Sequence, residues 1–217
     1  MRRGFVISLC DLTGHMAQPW VEAGHRVILV DPQHGETRWE GGVHKIASTV
    51  EEAMPAIGRH LRWGDVAAVF AFPPCTDMAV SGARWFAEKR AADPMFQAKA
   101  VAVAEQCRTI GRPSGAPWFV ENPVSVLSRV FGKPQHIFNP CDYTAFEPND
   151  NYTKRTCLWT GGGFVMPAPA RDLTLGAPDD RIHKAPPGPD RENFRSATPL
   201  GFARAVFEAN ARKEIAA

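Results

Sequence analysis

The feature that most constrains this chain is a series of short, almost wholly apolar runs, each ending abruptly in a polar turn. Phe5–Cys10 runs into Asp11, Arg26–Val30 into Asp31-Pro32, Val66–Phe72 into Pro73-Pro74-Cys75, and Trp118–Val120 into Glu121-Asn122-Pro123. Short runs rich in Val, Ile and Phe, bounded by turn residues, predict strands. The lack of in–out alternation predicts burial on both faces, as in a parallel sheet covered by helices. Met16, Trp20 and Ala23 recur at helical spacing between the first two runs, and Gly24 closes that segment. Strand, helix, strand in that order is one crossover unit. Helical patterns follow at Val50–Leu61 and at Trp85–Gly111, the latter broken near Asp93-Pro94. Thr156–Thr160 predicts another strand, and Phe202–Arg212 an amphipathic helix with Phe202, Val206 and Phe207 on one side. The segment 161–197 is dense in proline and without periodicity, which predicts an irregular excursion. The expectation is one α/β domain over residues 1–217 with a mostly parallel central sheet.

Composition narrows the function classes. The 217 residues carry 25 Lys and Arg against 23 Asp and Glu, a formal charge of +2. That excludes a strongly basic nucleic-acid coat and an acidic tail, and leaves room for a local basic groove. No apolar run approaches the ~18 residues of a membrane helix, and the apolar stretch after Met1-Arg2-Arg3-Gly4 is too short for a secretory core. The five scattered cysteines fit a reducing cytoplasm with thiols rather than a disulfide framework. They show no Cys-x-x-Cys spacing, and the seven histidines form no paired ligand pattern, so no metal is expected.

Ligands of open α/β sheets sit beyond the carboxyl ends of the strands. Every chemically suggestive segment here falls on that rim. Asp11-Leu12-Thr13-Gly14 joins a strand to a helix, where a glycine lets backbone amides approach a ligand and the helix start favours polar groups. Asp31, followed by Pro32, is placed to accept hydrogen bonds from the hydroxyls of a ribose. Phe72-Pro73-Pro74-Cys75 displays a thiol on a turn stiffened by two prolines, as a nucleophile requires, although an isolated cysteine is more often inert packing. Glu121-Asn122 sets a carboxylate on the same rim, where burial would raise its pKa and suit it to hold a ring nitrogen.

Together these pieces resemble the DNA cytosine-C5 methyltransferase family. Phe5–Gly14, with Glu22-Ala23-Gly24-His25, is similar to its first motif, which cradles S-adenosylmethionine. Asp65–Cys75 with Ser81-Gly82 is similar to the nucleophile strand and loop, and Phe119-Val120-Glu121-Asn122 to the Glu-Asn motif. Tyr152–Trp159, centred on Arg155, resembles the later arginine motif, and Thr198-Pro199 with the last helix resembles the C-terminal motif. The order is collinear over nearly the whole chain.

The resemblance implies a Rossmann-like fold and C5 methylation of cytosine in DNA through a covalent adduct between Cys75 and C6. It implies Cys75, Glu121 and Arg155 as catalytic residues, and S-adenosylmethionine as cofactor. Asp11, Leu12, Thr13, Gly14, Asp31, Pro32, Phe72, Pro74 and Thr198 would hold that cofactor, and Pro73, Ser81, Arg84 and Asn122 would contact the substrate. A stacked base is out of reach of such chemistry, so the target is flipped out or already single-stranded. Three features depart from the family. The first loop is poorer in glycine, Cys157 stands where a second arginine is usual, and only 161–197 occupies the place of a target-recognition domain. Its Arg171, Arg181, Lys184, Arg191 and Arg195 are offset by Asp172, Asp179, Asp180, Asp190 and Glu192. Such a segment could clasp phosphates but not read a long sequence. Short or relaxed specificity is expected. The alternatives are a single-stranded or mononucleotide substrate, or a non-catalytic DNA-binding protein on a decayed fold.

Overall fold

The computed structural model describes residues 4–184, 186, 188 and 191–211. In chain order the strands are β1 (Phe5–Leu9), β2 (Val27–Val30), β3 (Arg38–Glu40), β4 (Val43–Ile46), β5 (Val66–Ala71), β6 (Trp118–Pro123), β7 (His136–Phe138) and β8 (Thr156–Gly161). The helices are α1 (Gln18–Glu22), α2 (Val50–Trp63), α3 (Phe86–Ala92), α4 (Phe96–Gly111), α5 (Leu127–Val130), α6 (Arg181–Lys184), α7 (Arg191–Ser196) and α8 (Leu200–Asn210).

All strands join one eight-stranded sheet in the order β3-β4-β2-β1-β5-β6-β8-β7. The run from β4 to β6 is parallel, and β3, β8 and β7 add antiparallel edges. The fold is therefore α/β with a mostly parallel, mixed sheet, consistent with a Rossmann-like fold. The chain leaves β1 toward β2 on one side and returns to its other side as β5. That reversal opens the crevice in which such sheets bind ligands.

The pleat sorts the apolar runs onto two faces. Val6, Val27, Leu29, Ala68, Phe70 and Phe119 pack with Met16, Trp20 of α1 and Phe202 and Val206 of α8. Ile7, Leu9, Ile28, Val30, Val69 and Val120 pack with Ala53 and Ile57 of α2 and Cys107 and Ile110 of α4. Successive residues of a strand therefore serve opposite layers, which is why the central runs carry no polar alternation. A reciprocal box starts α2: Thr49 Oγ1 accepts from the Glu52 amide at 3.3 Å, and Glu52 Oε2 accepts from the Thr49 amide at 3.0 Å.

Four expectations need correction. The first helical segment splits into a 3-10 turn, His15–Ala17, and the short α1. Residues 38–46, assigned to no element from the sequence, form the β3–β4 hairpin, and β7 is a further addition. The strand ending in Val120 continues to Pro123, so Glu121 and Asn122 belong to β6 and pair with Leu158 and Cys157 of β8. The excursion 161–197 contains α6 and α7, and some of its residues, like the expected helix end at Arg212, lie outside the described residues.

Candidate active site

The Pro73-Pro74-Cys75 loop and the strand of Glu121 are fastened together. Asn122 is wholly buried, and its Nδ2 donates to the Pro73 carbonyl at 3.0 Å. Beyond the loop, the amides of Met78 and Ala79 donate to the Cys75 carbonyl, closing a helical turn around the thiol-bearing residue. That turn is clipped to the segment after β6: Val80 donates to the Val124 carbonyl, Val126 to the Met78 carbonyl, and Ala79 and Ser125 form an isolated bridge. Lys89 of α3 adds a bond from Nζ to Asp77 Oδ1 at 2.5 Å. Pro73 is buried, Cys75 half-buried, and Pro74 exposed at the tip.

Glu121 points from β6 into a narrow cleft, partly open to solvent and with room for about one water molecule, on the α8 side of the sheet. Its walls are Phe72 after β5, Phe138 of β7, Lys154 and Thr156 at the start of β8, Ser196 of α7, and Thr198, Pro199 and Phe202 at the start of α8. Phe138 and Phe202 stack with centroids 3.9 Å apart. Among these mostly apolar walls, Glu121 Oε1 is buried without a hydrogen-bond partner among the described residues. Burial pushes the Glu121 carboxyl above its ordinary pKa, and the Lys154 ammonium pulls part of the way back. An orphaned buried oxygen costs about 1–3 kcal/mol. A cleft that carries such a group offers a ligand's N–H a strong reward for binding there.

The side chains of Lys154 and Arg155 part company. Lys154 and Thr156 line the cleft, as alternate residues on one pleat face do. Arg155 is exposed and is not among the lining residues. Its charge instead acts on Cys157, which is held above its ordinary pKa chiefly by burial and packs against Met78 at the end of the Cys75 turn. Arg155 therefore lies near Cys157, and Lys154 beside the Glu121 carboxylate. Lys154 was not singled out from the sequence, because its facing depends on the β6–β8 register. Cys75, like Arg155, stands outside the residues that line the cleft.

The first loop is shaped from within. Cys10 takes φ +54°, a left-handed conformation rare for a side-chain-bearing residue, and turns the chain off β1. The buried Asp11 carboxylate accepts from Ser8 Oγ at 2.7 Å, Thr13 Oγ1 at 3.2 Å and the Gly14 amide at 2.8 Å. Asp11 thus builds the loop. Leu12 is half-buried and Thr13 exposed. Gly14, at φ +70°, sits so close to Leu29 that a Cβ there would come within 2.9 Å of a Leu29 methyl. His15 Nδ1 lies 3.2 Å from the Thr198 carbonyl, so this loop meets the start of α8 beside the cleft.

Asp31 is buried at the end of β2, with Oδ1 accepting from the Gln33 amide at 2.8 Å. No bond occupies Oδ2 among the described residues, so an acceptor remains for a hydroxyl. Burial holds the Asp31 carboxyl above its ordinary pKa. His34, overlooked in the sequence for want of any motif, is buried on the same turn with Nε2 unpartnered. Pro32 is exposed beside them. An open acceptor and an orphaned ring nitrogen, side by side at the carboxyl end of β2, fit the edge of a nucleoside.

The remaining expected contacts lie apart from the cleft. Ser81 and Arg84 are exposed on the 3-10 turn Val80–Trp85, with the Arg84 guanidinium 5.0 Å from the centre of the Trp85 ring. Two cations of the excursion are also committed: Arg181 is paired with Asp179, and Lys184 with Asp180 at 2.7 Å. Neither is thereby available as a phosphate clasp. Among the described residues no group of three or more His, Cys, Asp or Glu side chains is placed to hold a metal, and no helix is long and apolar enough to cross a membrane. No protein-family model matches the sequence, and no curated protein matches it.

Proposed function

We propose that the chain is an S-adenosylmethionine-dependent cytosine C5 methyltransferase acting on DNA with limited sequence reading. The observation that carries this is Glu121, a buried carboxylate with an orphaned oxygen in an aromatic-walled cleft, on the strand tied through Asn122 to the Pro73-Pro74-Cys75 loop. At the carboxyl ends of β1 and β2, the 10–14 loop and the open Oδ2 of Asp31 would hold a nucleoside cofactor. That cofactor, when bound, supplies an electrophilic methyl group on a sulfonium.

The chain's own residues carry the rest. Carbon 5 of cytosine is a weak nucleophile until C6 has been attacked. The Cys75 thiolate forms a bond to C6, and the ring electrons move toward N3. Glu121 holds the N3 and amino edge and supplies a proton to N3, a task suited to a carboxyl whose pKa burial raises. Once C5 carries the methyl group, which the cofactor would give up by breaking its carbon–sulfonium bond, loss of the C5 proton to water restores the C5–C6 double bond, expels the thiolate and returns the N3 proton to Glu121. Arg155, near Cys157, stays charged throughout and offers a contact to the sugar-phosphate.

A single-stranded or mononucleotide substrate is favoured over a duplex by one observation. α6 and α7 span four and six residues, too short to lie along a groove as a reading helix. The decisive experiment incubates the protein with S-adenosylmethionine and 5-fluorocytosine DNA, single-stranded and duplex, and looks for a covalent adduct by denaturing gel and mass spectrometry. An adduct that disappears in Cys75→Ser is the expected result. Its absence with both substrates, while the wild-type protein remains folded and binds cofactor, removes the proposed chemistry.

A further inference from the structure

The opposite rim of the sheet, where the parallel strands begin, carries a second feature that the cleft does not use. Trp39 of β3 is 54% exposed and stacks on His44 of β4, with centroids 4.6 Å apart and planes 3° from parallel. Arg59 and His60 of α2 lie near enough to His44 for their charges to hold its imidazole below the ordinary pKa, after burial. His60 in turn meets Trp63 edge-on at 5.9 Å, and Trp63 is 69% exposed. Arg59 and Trp63 are one turn apart on α2 and so share a stripe. Two indoles thus lie in the open at either end of a row joined by imidazoles, with arginines between and beside them.

The charge on this row is not cancelled. Arg59 and Arg62 are exposed and make no salt bridge among the described residues. Of the nearby acids, Asp65 faces His60 within the row at 3.1 Å, away from the guanidiniums, and Glu40 faces Lys45 at 2.8 Å. Large aromatic side chains such as these gain free energy when they leave water for an apolar or stacked contact. Flat aromatic faces alternating with unpaired guanidiniums match one class of ligand, a single strand whose bases stack while its phosphates meet cations.

We propose that the patch of Trp39, His44, Arg59, Arg62 and Trp63 binds single-stranded nucleic acid. The five residues of β1, at about 3.3 Å each, separate this rim from the reactive one by roughly 17 Å. A strand of modest length therefore spans both, and the patch supplies the grip that the short 161–197 segment lacks. The binding itself does not depend on the methyltransferase assignment.

The experiment titrates the full chain with fluorescein-labelled dT20 and U20, following anisotropy and tryptophan quenching. Neither oligonucleotide contains cytosine, so the result is separate from any event in the Glu121 cleft. Binding that falls about tenfold or more in Trp39→Ala/Trp63→Ala is expected. In Arg59→Glu/Arg62→Glu, a similar loss should come with a salt dependence shallower by about 1.4 in log K against log salt. Comparison of the two oligonucleotides tells DNA from RNA, and either supports the proposal. Binding unchanged in both variants overturns it. So does equal binding to a duplex with no loss in the tryptophan variant, which leaves a surface for phosphates alone.

Discussion

At the scale of single residues, the cleft stores an imbalance in Glu121. A carboxyl whose pKa is raised on folding contributes stability that is fully present below its unfolded pKa and lost as pH rises through the folded value. The wild-type protein therefore loses stability on this account as pH climbs above the ordinary carboxylate range. Glu121→Gln removes the ionisation. Differential scanning calorimetry at pH 8 should place the variant on the order of 1 kcal/mol above wild type, a Tm higher by about 2–4 °C. The gap should close toward pH 4, and turnover should be lost. A variant no more stable than wild type at any pH would mean that the buried oxygen carries no cost.

Lys154 gives a second prediction at the same scale. Its ammonium draws the Glu121 pKa down, so Lys154→Met should raise it further. If proton supply from Glu121 limits turnover, kcat/KM falls as pH rises through that pKa, and the variant's falling limb moves to higher pH. Lys154→Arg should keep the limb in place. A purely structural lysine would change the amplitude of both profiles and leave the limb unmoved. None of this was legible in the residues alone. Thr153-Lys154-Arg155-Thr156 offers two adjacent cations, and only the pairing of β8 with β6 decides which one faces the carboxylate.

At the scale of elements, the start of α8 is the most tightly determined junction beside the cleft. The Gly201 amide donates to the buried Asp150 Oδ2 at 2.7 Å, and a Cβ on Gly201 would come within 2.6 Å of the Tyr143 carbonyl. The Tyr143 carbonyl is backbone and cannot swing aside cheaply. Gly201→Ala should lower stability by about 1–3 kcal/mol, as overpacking of a rigid site does. It should also displace Phe202 and Thr198 and weaken ligand binding at the cleft. Chemical denaturation and a binding titration on the same preparation test both. Ser128→Ala, on the exposed side of α5, is the control in which neither moves substantially.

The elements also mark where the sequence was readable. Central strands declared themselves because burial on both faces leaves an apolar run in the letters. The β3–β4 hairpin did not, since its strands have three and four residues and mix Arg, Trp, Glu, His and Lys. Its one local signal was Gly41-Gly42, both at positive φ, the residue pair that a two-residue hairpin turn demands. The break at Asp93-Pro94 was visible because proline restrains its predecessor and cannot donate to the preceding turn. Contacts such as Asn122 to Pro73 were not visible. They join positions far apart in the chain and have no local pattern.

At the scale of the whole molecule, two loops and a terminal helix are brought together by sheet topology. The 10–14 loop follows β1, the 72–75 loop follows β5, and these strands are neighbours at the point where the strand order reverses. α8 closes over the same rim through Thr198 and His15. A ligand bridging this rim would therefore hold the 10–14 loop, the 72–75 loop and the last helix in one unit, and would stabilise all of them at once. If S-adenosylhomocysteine occupies it, saturation at 100 times Kd should stabilise the fold by about 2.7 kcal/mol, a rise of roughly 5–10 °C in Tm. Asp31→Ala should reduce that rise while leaving the ligand-free Tm within a few degrees, since the side chain makes one backbone bond and is itself costly to bury. A wild-type Tm unmoved by the ligand would leave the α/β scaffold intact and point to a fold that has kept its shape after losing its cofactor. Cys75 would then be a loop thiol without a methyl donor.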